Sequence, residues 1–348
     1  MSDQELSLHA EMLGGSEEAY RLGRMLEGLL TAQVVLVLDR FGVPDLLAGG
    51  PRTTGELASE IGADADALDR VLAAASVYRL VSRDDSGTWT LTGTGDLLRT
   101  GSGQSLAAGF MGVPMWEAFS RIGEVVQGQQ VNPAAPGGLY DRYGQHPEDA
   151  RWFARAMGRV TRTMVEQLAA SGFRPLGSGR IVDVGGSRGT LLAHLLRSDP
   201  QSTGVLFDRA EAMAEAPQFL ASAGVADRAE LASGNFLQEV PSGGDLYVLS
   251  QVLHNWDDER VRLIVGNCHR ASQPGGYLMV IELLLPDGPE PSAAHLMDLI
   301  MLSALGGRER TSGQHAALLA SCGYTLVRNT PLDKVLPWRI LEFEHQPS

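Results

Sequence analysis

Three side chains in the second half of this chain are of the types that move a proton: His254, Glu282 and Glu309. His254 follows the apolar run Leu246-Tyr-Val-Leu-Ser-Gln-Val-Leu253 and precedes Asn255-Trp-Asp-Asp-Glu259, where a strand gives way to a helix. Glu282 closes a second apolar run, Tyr277-Leu-Met-Val-Ile281. Glu309 lies in Gly306-Gly-Arg-Glu-Arg-Thr311, ahead of a helix for which Thr311 and Gln314 form a capping-box pattern. A lone histidine is commonly a packed structural residue, and an acid beside a helix start can serve that helix alone. Read together, an imidazole and two carboxylates at separate strand ends make an oriented general base.

A second constellation, Arg180-Ile-Val-Asp-Val-Gly-Gly-Ser-Arg-Gly-Thr190, has the form of a strand, a glycine turn and a helix start. Glycines such as Gly185 let the backbone approach a ligand closely, and the N–H groups of a helix start face the strand's carboxyl end. Ser187 and Thr190 break the dinucleotide fingerprint, and no lysine follows to make a phosphate loop. Asp183, two residues before the turn, would repel a pyrophosphate but suits a cofactor carrying an ammonium and a sulfonium. Asp208, about 20 residues beyond the turn, either accepts both hydroxyls of a ribose or caps a helix expected over 210–223. Asn235 and Phe236 can hold an adenine edge and face, although an asparagine in a loop is more often just a turn residue. Ser250, at the end of the fourth strand, completes the candidate cofactor contacts.

These residues need a scaffold that brings strand ends together. From Arg180 the pattern alternates: strands over 180–184, 203–207, 228–232, 244–249, 277–283, 324–330 and 338–344, with helices over 188–197, 210–223, 257–271, 293–305 and 312–322. Alternation of this kind predicts an α/β fold with a mostly parallel sheet covered on both faces, and ligands outside the strands' carboxyl ends. Asp257 and Asp258 read as caps of the helix at 257–271.

The first hundred residues differ in character. Ser16 to Asp39 reads as one helix too apolar for a free surface, and so as a contact with another chain. Residues 53–80 read as helix, turn, helix and residues 81–91 as a hairpin, a winged-helix layout. Its second helix sets Arg70 and Arg79 against Asp64, Asp66 and Asp69, poor chemistry for a phosphate-lined groove. Residues 101–150, with Pro133, Pro136 and Gly137-Gly138, read as a connector. The aromatic residues Trp116, Phe119, Tyr140 and Tyr143 in it can line a pocket for a flat ligand or simply pack under a loop. A helix over 151–171 carries Phe153, Met157, Val160, Met164 and Leu168 on one stripe.

The 348 residues, 44% hydrophobic and 20% charged, are enough for two domains. The net charge of −14 and a single lysine, Lys334, argue against a nucleic-acid partner. Cys268 and Cys322 form neither a C-x-x-C pair nor a disulfide framework, which fits a reducing cytoplasm. No apolar stretch reaches the roughly 18 residues of a membrane span, and no leader pattern opens the chain.

The motifs VDVGGSRG, FDRAE, GNF, VLHNWDDE, MVIE and GGRERT together strongly resemble the plant-type S-adenosylmethionine-dependent O-methyltransferases, in their bacterial natural-product branch. That resemblance implies a Rossmann-like methyltransferase sheet with a mostly helical, winged-helix-like dimerisation domain, divided here as 1–102 and 103–348. It implies His254 as base with Glu282 and Glu309 holding its ring, S-adenosylmethionine as cofactor, no metal, a homodimer and a small aromatic acceptor. Asn255 and Asn235 stand where the family carries aspartates. The acceptor pocket is expected from Trp116, Met157, Met297 and Met301. Two rival readings are a member of the family that no longer methylates and a winged-helix regulator sensing an adenosyl ligand.

Overall fold

The computed structural model describes residues 7–99, 112–133, 138–332 and 338–346. They group into two units, Met1–Trp116 with Tyr143–Arg159, and Glu117–Arg142 with Val160–Ser348. The boundary expected between residues 102 and 103 lies outside the described residues. Among the described residues no helix is long and apolar enough to cross a membrane.

In the first unit the stretch read as one helix is two, α2 (Glu17–Leu26) and α3 (Gly28–Arg40). They meet at Glu27, a buried acid that needs partners. Its carboxylate accepts from Ser7 Oγ at 2.9 Å and from the His9 N–H at 3.2 Å, so α1 (Leu8–Met12) is tied to the break. Further on come α4 (Val43–Ala48), β1 (Arg52–Thr53), α5 (Thr54–Ile61), α6 (Ala65–Val77), β2 (Val81–Arg83), β3 (Thr88–Leu91) and α7 (Gly93–Asp96). A three-stranded sheet in the order β1-β3-β2 packs with the helices around Leu38, Leu57, Leu72 and Trp89.

The expected connector is helical over most of its described length, in α8 (Val113–Ser120), α9 (Ile122–Val126), α10 (Leu139–Gln145) and the start of α11 (Pro147–Ser171). Pro114 and Pro147 sit in first turns, where a missing N–H costs nothing, so these prolines start helices instead of breaking them. Pro136 and Gly137 lie outside the described residues.

The second unit is built on a seven-stranded sheet in the order β6-β5-β4-β7-β8-β10-β9. Its strands are β4 (Arg180–Val184), β5 (Thr203–Asp208), β6 (Ala229–Ser233), β7 (Gly244–Ser250), β8 (Ser272–Leu283), β9 (Tyr324–Pro331) and β10 (Trp338–His345). β4 to β8 pair in parallel, while β10 runs antiparallel to both β8 and β9. Alternate strand residues feed separate apolar clusters, one containing Ile181, Leu206, Leu246, Met279 and Ile340, the other Val182, Val205, Tyr247, Leu278 and Leu341. Burial on both faces is why these strands read as unbroken apolar runs.

Around the sheet lie α12 (Thr190–Ser198), α13 (Ala216–Ser222), α14 (Asp258–Ala271), α15 (Ala293–Ile300) and α16 (Ser312–Ala320). The helix expected over 210–223 is confined to α13, and the one over 293–305 ends as α15 and continues as a π turn, Met301–Leu305. Strand order reverses at β4, with β5 on one side and β7 on the other. A crevice at that switch point receives whatever the carboxyl ends of β4, β5 and β7 present.

Candidate active site

β7 delivers the histidine through a strained exit. Gln251, one residue past the strand, takes φ 56°, a left-handed conformation that non-glycine residues rarely adopt. The chain then enters a 3-10 turn, Leu253–Asn255. Glu282, near the end of neighbouring β8, receives that turn: its Oε1 accepts the N–H groups of Leu253 at 2.9 Å and His254 at 3.4 Å. The other acid takes the ring, with Glu309 Oε1 2.8 Å from His254 Nδ1, and Glu282 Oε2 is 3.5 Å from the same nitrogen. Both acids and the histidine are buried.

The loop carrying Glu309 is fastened in turn. Arg308 N–H donates to the His254 carbonyl at 2.9 Å, and Glu309 N–H donates to Asp298 Oδ1 at 2.8 Å. A Cβ on Gly307 would stand 2.1 Å from the His254 carbonyl oxygen, so only glycine lets the two segments meet. Asn255 does not take over the work of an acid; its Nδ2 donates to the Gln251 carbonyl at 3.3 Å. Asp257 caps α14 as expected, accepting from Arg260 N–H, whereas Asp258 pairs with Arg310 at 2.7 Å.

The charges compete inside this group. Burial pushes the imidazole toward its neutral form, but the charge of Glu282 and the hydrogen bond and charge of Glu309 outweigh it, so that His254 is pushed up to about 9. Glu282 is pushed up to about 7, chiefly by burial and against the pull of His254. One ligand atom from each of the three lies within 4.8 Å of the others, a spacing a metal ion could also use. The 2.8 Å separation of His254 and Glu309 is that of two atoms sharing a proton.

At the glycine turn, Gly185 has φ 76° and donates its N–H to the Phe207 carbonyl at 2.8 Å. A side chain there would meet Val252 Cγ2 at 2.8 Å and crowd the mouth of the turn. Ser187, where the family resemblance has glycine, keeps a left-handed φ of 54°. Its N–H donates to Asp208 Oδ2 at 2.9 Å, and Arg209 N–H donates to Oδ1 at 2.7 Å. No helix starts at Asp208, since the next one is preceded by Glu215, so the helix-cap reading of this acid fails. Burial holds the Asp208 carboxyl above its ordinary range. Asp183 is buried beneath Gly186, and burial together with the Asp208 charge pushes it up to about 7. One Asp183 oxygen has no hydrogen-bond partner. Two carboxyls that burial holds above their ordinary range behind a glycine turn fit a cationic nucleoside cofactor.

Asn235 Oδ1 accepts from Leu237 N–H at 3.0 Å, so this side chain does make a turn. Phe236 meets Trp256 edge to face with ring centroids 5.9 Å apart. Ser250 Oγ lies 3.5 Å from the Met164 sulfur. Met297 on α15 and Met301 in the π turn belong to the same unit as the histidine, the first half-buried and the second buried; Trp116 and Met157 belong to the other unit. Sequence reasoning missed Asp298, Gln251 and Gly307, which hold the three proton-moving groups in place.

The family described as O-methyltransferase domain matches residues 120–325, and that described as O-methyltransferase dimerisation domain matches residues 24–101. A phenazine O-methyltransferase of Lysobacter antibioticus is 36% identical, over 88% of this chain and 91% of its own. An 8-amino-8-demethylriboflavin N,N-dimethyltransferase of Streptomyces davaonensis is 34% identical, over 93% and 94%. Among solved structures, an O-methyltransferase from neocarzinostatin biosynthesis, in complex with S-adenosylmethionine and 2-hydroxy-5-methyl naphthoic acid, superposes with a TM-score of 0.78 at 30% identity. That match covers 90% of this chain and 96% of the solved one.

Proposed function

The chain belongs to the S-adenosylmethionine-dependent O-methyltransferases of natural-product metabolism, and we propose that it methylates a hydroxyl of a small aromatic molecule with His254 as base. The observation that carries this reading is the 2.8 Å contact of Glu309 with His254 Nδ1, backed by Glu282 at 3.5 Å. With Nδ1 spent on the acids, Nε2 is the nitrogen left to take the hydroxyl proton. The acids stabilise the imidazolium that forms, and Glu282 also prevents the turn from drifting by holding its N–H groups. When bound, the cofactor supplies an activated methyl group on a sulfonium, whose positive charge also favours the neutral imidazole.

In this reading Asp183, Gly185, Asp208, Asn235, Phe236 and Ser250 hold the cofactor. Asp208 is the firmest of them, because its carboxylate is already oriented by two N–H groups of the turn. Met297 and Met301 offer an adaptable apolar wall to the acceptor. Residues 1–102 serve dimerisation and 103–348 catalysis, and two free thiols, Cys268 and Cys322, support a cytoplasmic enzyme.

A screen of phenols, hydroquinones and hydroxylated heterocycles with methyl-labelled cofactor tests the proposal. It predicts label on oxygen, greatly reduced in His254→Ala. An amine acceptor is the second reading, supported by the riboflavin-type relative; aminophenols in the same screen separate the two by where the label lands.

A further inference from the structure

Arg310 is among the most buried large side chains of the described residues, yet it carries a permanent charge. A guanidinium has five N–H donors, and here all five are used. Nε and Nη2 donate to Asp258 Oδ1 at 3.1 and 2.7 Å. Nη1 donates to the carbonyls of Leu253 at 3.2 Å and Arg308 at 3.3 Å, and Nη2 donates to that of Trp256 at 2.9 Å. Leu253 and Trp256 bracket the histidine, so one side chain grips the base turn from both ends. Its own backbone completes the tie, the Arg310 carbonyl accepting from Leu285 N–H at 3.1 Å, three residues beyond Glu282.

We infer that Arg310 is a positioning residue for the reaction: it locks the turn bearing His254 against the segment bearing Glu309 and so sets the contact between them. The inference rests on His254 being the base. Glu282 holds the turn's N–H groups and Arg310 its carbonyls, a division that fixes the backbone from which the imidazole reaches Glu309. Lysine cannot replace this clamp, because an ammonium has three donors and no planar fork. The titratable groups acting on the imidazole are Glu282 on β8, Glu309 in the loop and His315 on α16; Arg310 and Asp258 adjoin His315, and Asp298 on α15 holds the Glu309 N–H.

The test is Arg310→Lys, which keeps the positive charge and removes the fork. With saturating cofactor, kcat on the alkaline plateau, where every imidazole is neutral, should fall by about 10- to 100-fold, a share of the 10²–10⁴ range of general-base catalysis. KM and cofactor affinity should stay within about twofold, since only positioning in the transition state is lost. The acidic limb of the profile should move to lower pH as the Glu309 contact loosens. Should Arg310→Lys fail to fold, Asp258→Ala removes the acceptor that Nε and Nη2 share on α14 and should lower the same plateau. A folded variant with the wild-type plateau and limb would overturn the inference. His254→Ala run alongside keeps the two readings apart: if the wild-type limb survives in it, the base assignment is what fails.

Discussion

The carboxylate of Glu309 lies 2.8 Å from Nδ1 of His254 across 55 residues of sequence, with both groups buried. A buried acid held that close to an imidazole raises its basicity, and the protein adds Glu282 behind it. Glu309→Gln keeps a hydrogen-bonding group and removes the charge. We expect kcat to fall by roughly 10²–10⁴, and the acidic limb to move to lower pH as the carboxylate that raises the His254 pKa is lost. A Gln variant with both unchanged would show that Glu309 serves only its helix start.

Asp208 should show itself in cofactor affinity. Asp208→Ala removes the acceptor of the Ser187 N–H as well as the proposed ribose contacts, and we expect S-adenosylmethionine binding to weaken by roughly 1–3 kcal/mol. Titration calorimetry measures it; unchanged affinity would assign this acid to the turn alone.

The stability of the fold should carry the signature of Asp183. Its folded pKa is raised to about 7, so folding favours the protonated form. The cost of ionising it beneath Gly186 is absent below its unfolded pKa and grows as pH rises to about 7, at about 1.4 kcal/mol for each tenfold change in proton affinity. Asp183→Asn should therefore gain Tm relative to wild type as pH is raised from 4 to 8. A Tm difference that stays flat over that range would contradict it.

Assembly can be tested from the exposed apolar face of α2 and α3. Met25 is 75% exposed, Leu26 53% and Leu30 52%, within the dimerisation-domain match. So much apolar surface in one place calls for a partner, and we expect a homodimer burying more than about 2,000 Å² in total. Light scattering at micromolar concentration should give twice the chain mass, and Leu26→Asp should halve it.

His254 and Glu282 were legible because each is a polar residue after an apolar strand, and in a parallel sheet those ends converge; Glu309 stands instead in the loop before α16, not at the strand end expected for it. Glycine spacing likewise pointed to the cofactor turn, and Ser187 keeps the left-handed backbone that glycine usually supplies. What pattern reading could not reach was the second layer of contacts. Arg310 acts on carbonyls more than 50 residues away, and no periodicity records a bond to a main-chain oxygen. Helix limits failed for local reasons: a buried carboxylate at Glu27 divides a continuous apolar pattern, and Pro114 and Pro147 open helices where prolines suggested a loop.

The most direct measurement is the pH dependence of His254→Gln against wild type, with an acceptor hydroxyl whose pKa lies well above the roughly 10 of a tyrosine-like phenol, so that it does not arrive ionised on the limb. In wild type, kcat/KM should rise with pH through the free-enzyme pKa of about 9, because the imidazole must lose its proton before it can take one. His254→Gln should lower turnover by roughly 10²–10⁴, lose that limb and bind cofactor with wild-type affinity. A variant that turns over such an acceptor at the wild-type rate with the acidic limb intact would contradict the assignment of His254 as the base.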